Sequence, residues 1–265
     1  TNDHSLIQIN PETQKFDIIK PKELLNKKTS YLLTNRKITL KENSKKFSKE
    51  MYLFMGFLVG NGNLTKRNNK YRYICLSSNY RKEIINKIIK KICKEKKCSY
   101  YLSKNSFDLK IYSKILTEEL YNLGFSGISS TKKIPQWLFK ETEKNICYFI
   151  KGYMSADGTV SIRNKKPIIK CDSINRELLY GLRKLFHRVG ISVSYFEERK
   201  KTAYKNVKSK YNMKRLNILD RKKYAQKIGF ITSVNNKLKN ISDKEVFFIS
   251  EEGVFKTSNF IKKNK

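Results

Sequence analysis

Apolar positions run almost unbroken over residues 51–59 and again over 147–150, and each run leads into a copy of one repeated phrase. Phe54-Met55-Gly56-Phe57-Leu58-Val59-Gly60-Asn61-Gly62 is echoed 96 residues later by Ile150-Lys151-Gly152-Tyr153-Met154-Ser155-Ala156-Asp157-Gly158. Behind each copy, residues 71–76 and 168–171 carry the alternating pattern of strands, with hairpin tips rich in Lys and Asn. Helical spacing then appears twice. Ile84, Ile85, Ile88, Ile89 and Ile92 predict a helix over 81–94, and Leu178, Leu179, Leu182, Leu185 and Phe186 predict one over 176–189. Two more strands come next in each copy. A closing helix follows over 115–123 and over 224–228, stopped at Gly124-Phe125 and Gly229-Phe230, where glycine is placed as a C-cap. The pattern predicts an α+β fold of two pseudo-symmetric αββαββα half-domains.

This order sets the domain reading: an N-terminal extension over 1–46, half-domains over 47–134 and 135–234, and a C-terminal appendage over 235–265 with weak strand patterning at 246–249. The second copy is the longer. Its extra length lies in 197–215, where eight Lys or Arg face two Glu. A solvated loop is the bland reading of any charge run, but this one is better suited to reach a phosphate backbone.

Charge turns the fold prediction toward a partner. Fifty-eight Lys and Arg against 23 Asp and Glu leave +35, a surplus that repels itself unless a polyanion neutralises it. A hydrophobic share of 39% is too high for a disordered basic tail, so the chain folds and its first partner to test is nucleic acid. The apolar runs fall far short of the ~20 residues of a membrane span. Five cysteines without a CxxC pair, with only His4 and His187 beside them, argue against disulfide frameworks and zinc fingers. Reduced thiols and the lack of a signal-peptide core predict a cytoplasmic protein, and an opening Thr1-Asn2-Asp3-His4 without Met predicts an excised fragment.

The repeated phrase carries the candidate chemistry. Gly56 and Gly152 allow two helices to touch backbone to backbone, which would bring Asn61 and Asp157 side by side. Paired carboxylates there would repel unless a divalent cation bridged them, and such cations activate water in phosphodiester hydrolysis. The plainer alternative is a pair of core helices capped by glycine. Two copies in a chain of +35 favour the site.

These residues resemble the LAGLIDADG homing endonucleases in their single-chain, two-motif form. Lys133-Ile134-Pro135-Gln136-Trp137-Leu138 ahead of the second motif is similar to the intein-encoded branch of that family. The resemblance covers residues 51–230. It implies motif helices at a pseudo-twofold interface, two antiparallel sheets forming a saddle on the DNA major groove, and a monomer acting on double-stranded DNA without a membrane. It implies Mg2+ or Mn2+ as cofactor, with Ca2+ able to occupy the site without cleavage, at Asn61 and Asp157 with Gly60 and Ala156 beside them. The family's Asp is Asn61 here, which removes a negative charge. A half-site decayed by nature and a deliberate Asp to Asn change both account for it, and retention of Gly60 and Gly62 favours the second.

The resemblance also implies a basic residue near each centre. Lys110 fits the first copy, and Lys214 or Arg215 the second. DNA contacts are expected from Lys66, Arg67, Asn68, Lys70 and Arg72, from Arg163, Asn164, Lys165, Lys166 and Lys170, and from Lys200, Lys201, Lys205 and Lys208 in the long loop. Tyr71 and Tyr73 read as half-buried strand aromatics. The N-terminal stretch looks like intein sequence, but neither a catalytic Cys at the start nor a His-Asn ending is present, so self-splicing is not predicted. The expected function is site-specific cleavage of duplex DNA, silent or reduced to nicking by Asn61. An RNA maturase on the same fold and a catalytically silent DNA-binding module are the alternatives.

Overall fold

The computed structural model describes residues 6–9, 16–20, 23, 40–67, 70–77, 81–103, 108–163, 166–199 and 212–238. They fall into two units. In one, strands β1 (Leu6–Ile9) and β2 (Phe16–Ile19) pair antiparallel with Leu6 opposite Ile19. The other spans residues 37–243 and contains both copies of the repeat.

In the larger unit the first copy begins with α1 (Lys49–Asn61), β3 (Gly62–Arg67) and β4 (Lys70–Ser77). Next come α2 (Arg81–Ile84), a π-helical turn (Ile85–Ile89) and α3 (Lys90–Glu95), then β5 (Ser99–Leu102), β6 (Asp108–Tyr112) and α4 (Lys114–Asn122). A 3-10 turn (Gln136–Lys140) leads into the second copy. That copy holds α5 (Glu143–Asp157), β7 (Gly158–Arg163), β8 (Lys166–Ser173), α6 (Arg176–Arg188), β9 (Val193–Arg199), β10 (Met213–Ile218) and α7 (Arg221–Lys227), and a last 3-10 turn follows (Ser233–Leu238). The sheets share one strand order, β3-β4-β6-β5 and β7-β8-β10-β9, all neighbours antiparallel. The fold is α+β, with the duplication visible in both topology and register.

Local chemistry accounts for the boundaries. Ser48 and Thr142 cap the repeated helices, each side-chain oxygen accepting an amide hydrogen three residues on, Met51 and Asn145, at 3.3 Å. Gly124 (φ 92°) and Gly229 (φ 61°) occupy the left-handed region that ends α4 and α7. The Phe125 amide donates back to the Leu120 carbonyl at 3.0 Å, and the Gly229 amide to Tyr224 at 2.9 Å. All nine residues from Met51 to Val59 are buried, because α1 meets α5 on one side and its own sheet and the π turn on the others. The same demand buries Ile84, Ile85, Ile88, Ile89 and Ile92.

All five cysteines are free thiols. Among the described residues no helix is long and apolar enough to cross a membrane. The weak strand at 246–249 lies outside the described residues, as does 200–211 of the long loop.

Candidate functional site

Where α1 crosses α5, no side chain separates the backbones. A Cβ on Gly56 would stand 1.9 Å from the Phe149 carbonyl oxygen, and one on Gly152 would stand 2.0 Å from that of Leu53. One turn further, a Cβ on Gly60 would lie 2.6 Å from the Ala156 Cβ and 3.4 Å from that of Asp157. The helix ends therefore converge. Asn61 is exposed and its Nδ2 donates to the Ala156 carbonyl at 2.9 Å, across the pseudo-twofold interface. Tyr153, wholly buried, donates its hydroxyl to Asp157 Oδ2 at 3.2 Å. Burial lifts the Asp157 carboxyl to a pKa of about 6, with Asp172 adding to the rise while the Tyr153 hydrogen bond and the Lys132 charge oppose it.

Lys132 is the residue that pattern reading missed. Its ammonium is buried and donates to three carbonyls at the C-terminal end of α1, Leu58 at 3.3 Å, Val59 at 2.9 Å and Gly62 at 2.6 Å. These oxygens carry the negative end of the helix dipole, so one cation satisfies both the orphan acceptors and the dipole. Desolvation pulls the Lys132 pKa down to about 8, and the Asp157 charge resists. Asn175 fixes the segment by donating to the Lys132 carbonyl at 2.7 Å, while its Oδ1 caps α6 at the Leu178 amide, 3.1 Å away. In the second copy the lysine at the same distance past Gly229-Phe230, Lys237, is exposed.

Strand register decides which basic residues share the outer sheet faces. In the first half Ile74, Leu76, Leu109 and Ile111 enter the core, so Cys75 and its partner Lys110 lie on the opposite face, beside Tyr73 and its partner Tyr112. Lys110 Nζ sits 5.7 Å from the centre of the Tyr73 ring. Strand β4 carries one extra residue at Arg72, since Thr65 opposes Tyr73 while Lys66 opposes Tyr71. Tyr71 turns to Tyr121 of α4, ring centres 4.6 Å apart, and Lys66 Nζ covers both rings. Arg72 and Lys70 remain exposed.

In the second half Ile169, Cys171, Leu216 and Ile218 form the inner face, which leaves Lys170, Asp172, Arg215 and Asn217 on the outer one. Arg215 grips Asp172 with Nε and Nη2 at 2.5 and 2.7 Å, and Lys170 Nζ lies 3.6 Å from the same carboxylate. Lys214 alternates onto the side of Leu216, its Nζ 3.5 Å from the Ile174 carbonyl. Of the two candidates for the second centre, Arg215 shares the outer face and Lys214 does not. Gly62, Leu76 and Leu109 align across the first sheet as Gly158, Cys171 and Leu216 do across the second. Counting outward, Asn217 matches Lys110 and Lys170 matches Cys75, so the basic residue changes strand between the halves.

Asn68, Asn164, Lys165, Lys200, Lys201, Lys205 and Lys208 lie outside the described residues, as do the side chains of Arg67, Arg163 and Lys166, whose backbones lie in strands β3, β7 and β8. Among the described residues no three His, Cys, Asp or Glu side chains gather into a metal cluster.

Residues 144–229 match the LAGLIDADG-like domain model, which defines the class of the second half. The first half repeats its element order, strand order and helix packing, so the chain carries the plan of a LAGLIDADG-like domain twice in one polypeptide. A DNA polymerase of Thermococcus hydrothermalis is 32% identical over 243 residues, 87% of this chain and 14% of the polymerase. A DNA-directed RNA polymerase subunit of Methanocaldococcus jannaschii is 32% identical over 169 residues, 59% of this chain and 18% of the subunit. The chain thus spans less than a fifth of either relative. Among solved structures, a variant of I-DmoI in complex with its target DNA aligns with a TM-score of 0.48 at 17% identity, covering 71% of this chain and 97% of that one.

Proposed function

We propose that the chain binds duplex DNA along the outer faces of its two sheets and follows the plan of a site-specific endonuclease, its hydrolytic centre at the joined ends of α1 and α5. One observation carries the reading. Asn61 and Asp157 meet at the end of a glycine-packed interface, and each sheet beside them presents a basic residue on its outer face, Lys110 and Lys170. A surplus of +35 supplies the phosphate attraction. Two relatives of unlike function contain the same kind of segment as a minor part of their length, which supports a mobile, intein-encoded module.

The residues as they stand do not fit a dication shared by the two halves. Among the described residues Asp157 is the one carboxylate at the joined ends, and the Ala156 carbonyl is already taken by an N–H. The chain as written is therefore a DNA-binding module that nicks or is silent. Asn61→Asp supplies the second acid. With Mg2+ or Mn2+ this variant should cut both strands of a selected long, asymmetric target, while the parent leaves one or both intact. Tight binding by the variant without cleavage of either strand would refute the endonuclease reading.

Base recognition gives a separate test. Arg72→Ala and Lys170→Ala should each relax preference at one or two base pairs by ~1 to 3 kcal/mol, with the salt dependence of binding nearly unchanged. Binding-site selection with each variant checks this. A uniform loss across all sequences would make those side chains phosphate contacts instead.

A further inference from the structure

We infer that Asn61 closes the helix interface in place of a cation, so that the two halves hold together without metal. The inference rests on the site reading above for the position of the helix ends, and its test is independent of cleavage. A backbone carbonyl only accepts hydrogen bonds, so the group 2.9 Å from the Ala156 oxygen must be the amide NH2 of Asn61. With aspartate at 61, two acceptors would face each other at that distance. They would have to part or share a positive charge between them.

The neighbouring atoms extend the substitution. Asp157 accepts from the Tyr153 hydroxyl, and the charge of Lys132, the ammonium anchored on the carbonyls that end α1, opposes part of the cost of its burial. Each role of a bridging dication has a counterpart in the protein: an N–H for the carbonyl, an O–H for the carboxylate, and the charge of a nearby ammonium. Asp157 and Lys132 also sum to zero formal charge, whereas a dication needs excess negative charge around it. The arrangement is one-sided. Lys132 serves α1, which bears the neutral Asn61, whereas Lys237, in the matching place of the second copy, is exposed.

Thermal unfolding of the full chain, of Asn61→Asp and of Asn61→Ala tests the proposal, each in EDTA and in millimolar CaCl2 or MgCl2. The parent should melt at the same temperature in all three. Asn61→Asp should melt lower in EDTA, by roughly 4 °C or more, and recover as either salt is added. Asn61→Ala, which has neither the donor nor the charge, should melt lower and stay low. Because Asn61 is exposed, both variants should fold. The proposal falls if the parent gains as much from CaCl2 as Asn61→Asp does, or if Asn61→Asp is as stable as the parent in EDTA. Cation-dependent melting of Asn61→Asp without DNA cleavage would sustain this inference and refute the endonuclease reading.

Discussion

Gly56→Ala and Gly152→Ala are each expected to disrupt the joint between the halves, although alanine is the smallest replacement and a better helix former. The added methyl would have to occupy space 1.9 to 2.0 Å from a backbone carbonyl oxygen of the facing helix. Neither oxygen can rotate away as a side chain would, so the helices must separate along a contact that buries Leu53, Phe54, Phe57, Phe149 and Tyr153. Overpacking of a core costs about 1 to 3 kcal/mol where side chains yield. Here backbone must move, and at least ~3 kcal/mol is expected, a fall of roughly 6 to 12 °C in melting temperature for a unit of this size. Thermal unfolding followed by circular dichroism measures it. A fall under ~2 °C for both variants would show that the helices reach each other in solution through another face. Gly60→Ala offers a graded control, because its new methyl would press on the Ala156 side chain at 2.6 Å and its nearest backbone oxygen is 3.3 Å away.

That glycine contact was legible in the amino-acid pattern, and so was the order of helices and strands in the two copies, though not the β1-β2 pair that precedes them. Each depends on short-range information: a phrase written twice, apolar residues at a helical or strand period, and glycine where a helix must stop. Other features escaped because they depend on register and on distant partners. Lys132 is one lysine among many until the chain brings it to carbonyls more than 70 residues back, at Leu58 and Val59. The basic residue of the second half could not be placed from spacing, since a slip of one residue along β10 exchanges Lys214 for Arg215 on the outer face. The correspondence of Lys170 with Cys75 required both sheets to be aligned through their glycines. Tyr71 and Tyr73 are half-buried, as the strand pattern reads, but the extra residue in β4 sends Tyr71 toward α4, so the two do not share one surface, and no pattern marks that residue in advance. At Asn61 the pattern showed a missing charge, and only the fold showed where the amide points.

Removing the remaining charge should strengthen the fold at neutral pH. Asp157 holds its proton more tightly in the folded chain, with a pKa of about 6, than a carboxyl does in the unfolded one, at ~3.9. Below both values the group is protonated in either state and contributes nothing. As pH rises between them, the unfolded chain releases its proton first. Folding is then opposed by an amount that is complete above pH ~7 and on the order of 2 to 3 kcal/mol. An amide in place of the carboxyl would resemble the protonated acid and could still accept from Tyr153. Asp157→Asn should therefore melt roughly 4 to 10 °C above the parent at pH ~7.5 and within about a degree of it near pH 4. A melting series from about pH 4 to 8 decides the matter. A variant no more stable than the parent at the neutral end, or one whose advantage grows toward acid, would mean that the carboxylate is already compensated by Lys132 and is not poised at a cost. If the advantage emerges as described, the site stores electrostatic free energy at neutral pH, the condition expected where a carboxylate is held for chemistry rather than for stability.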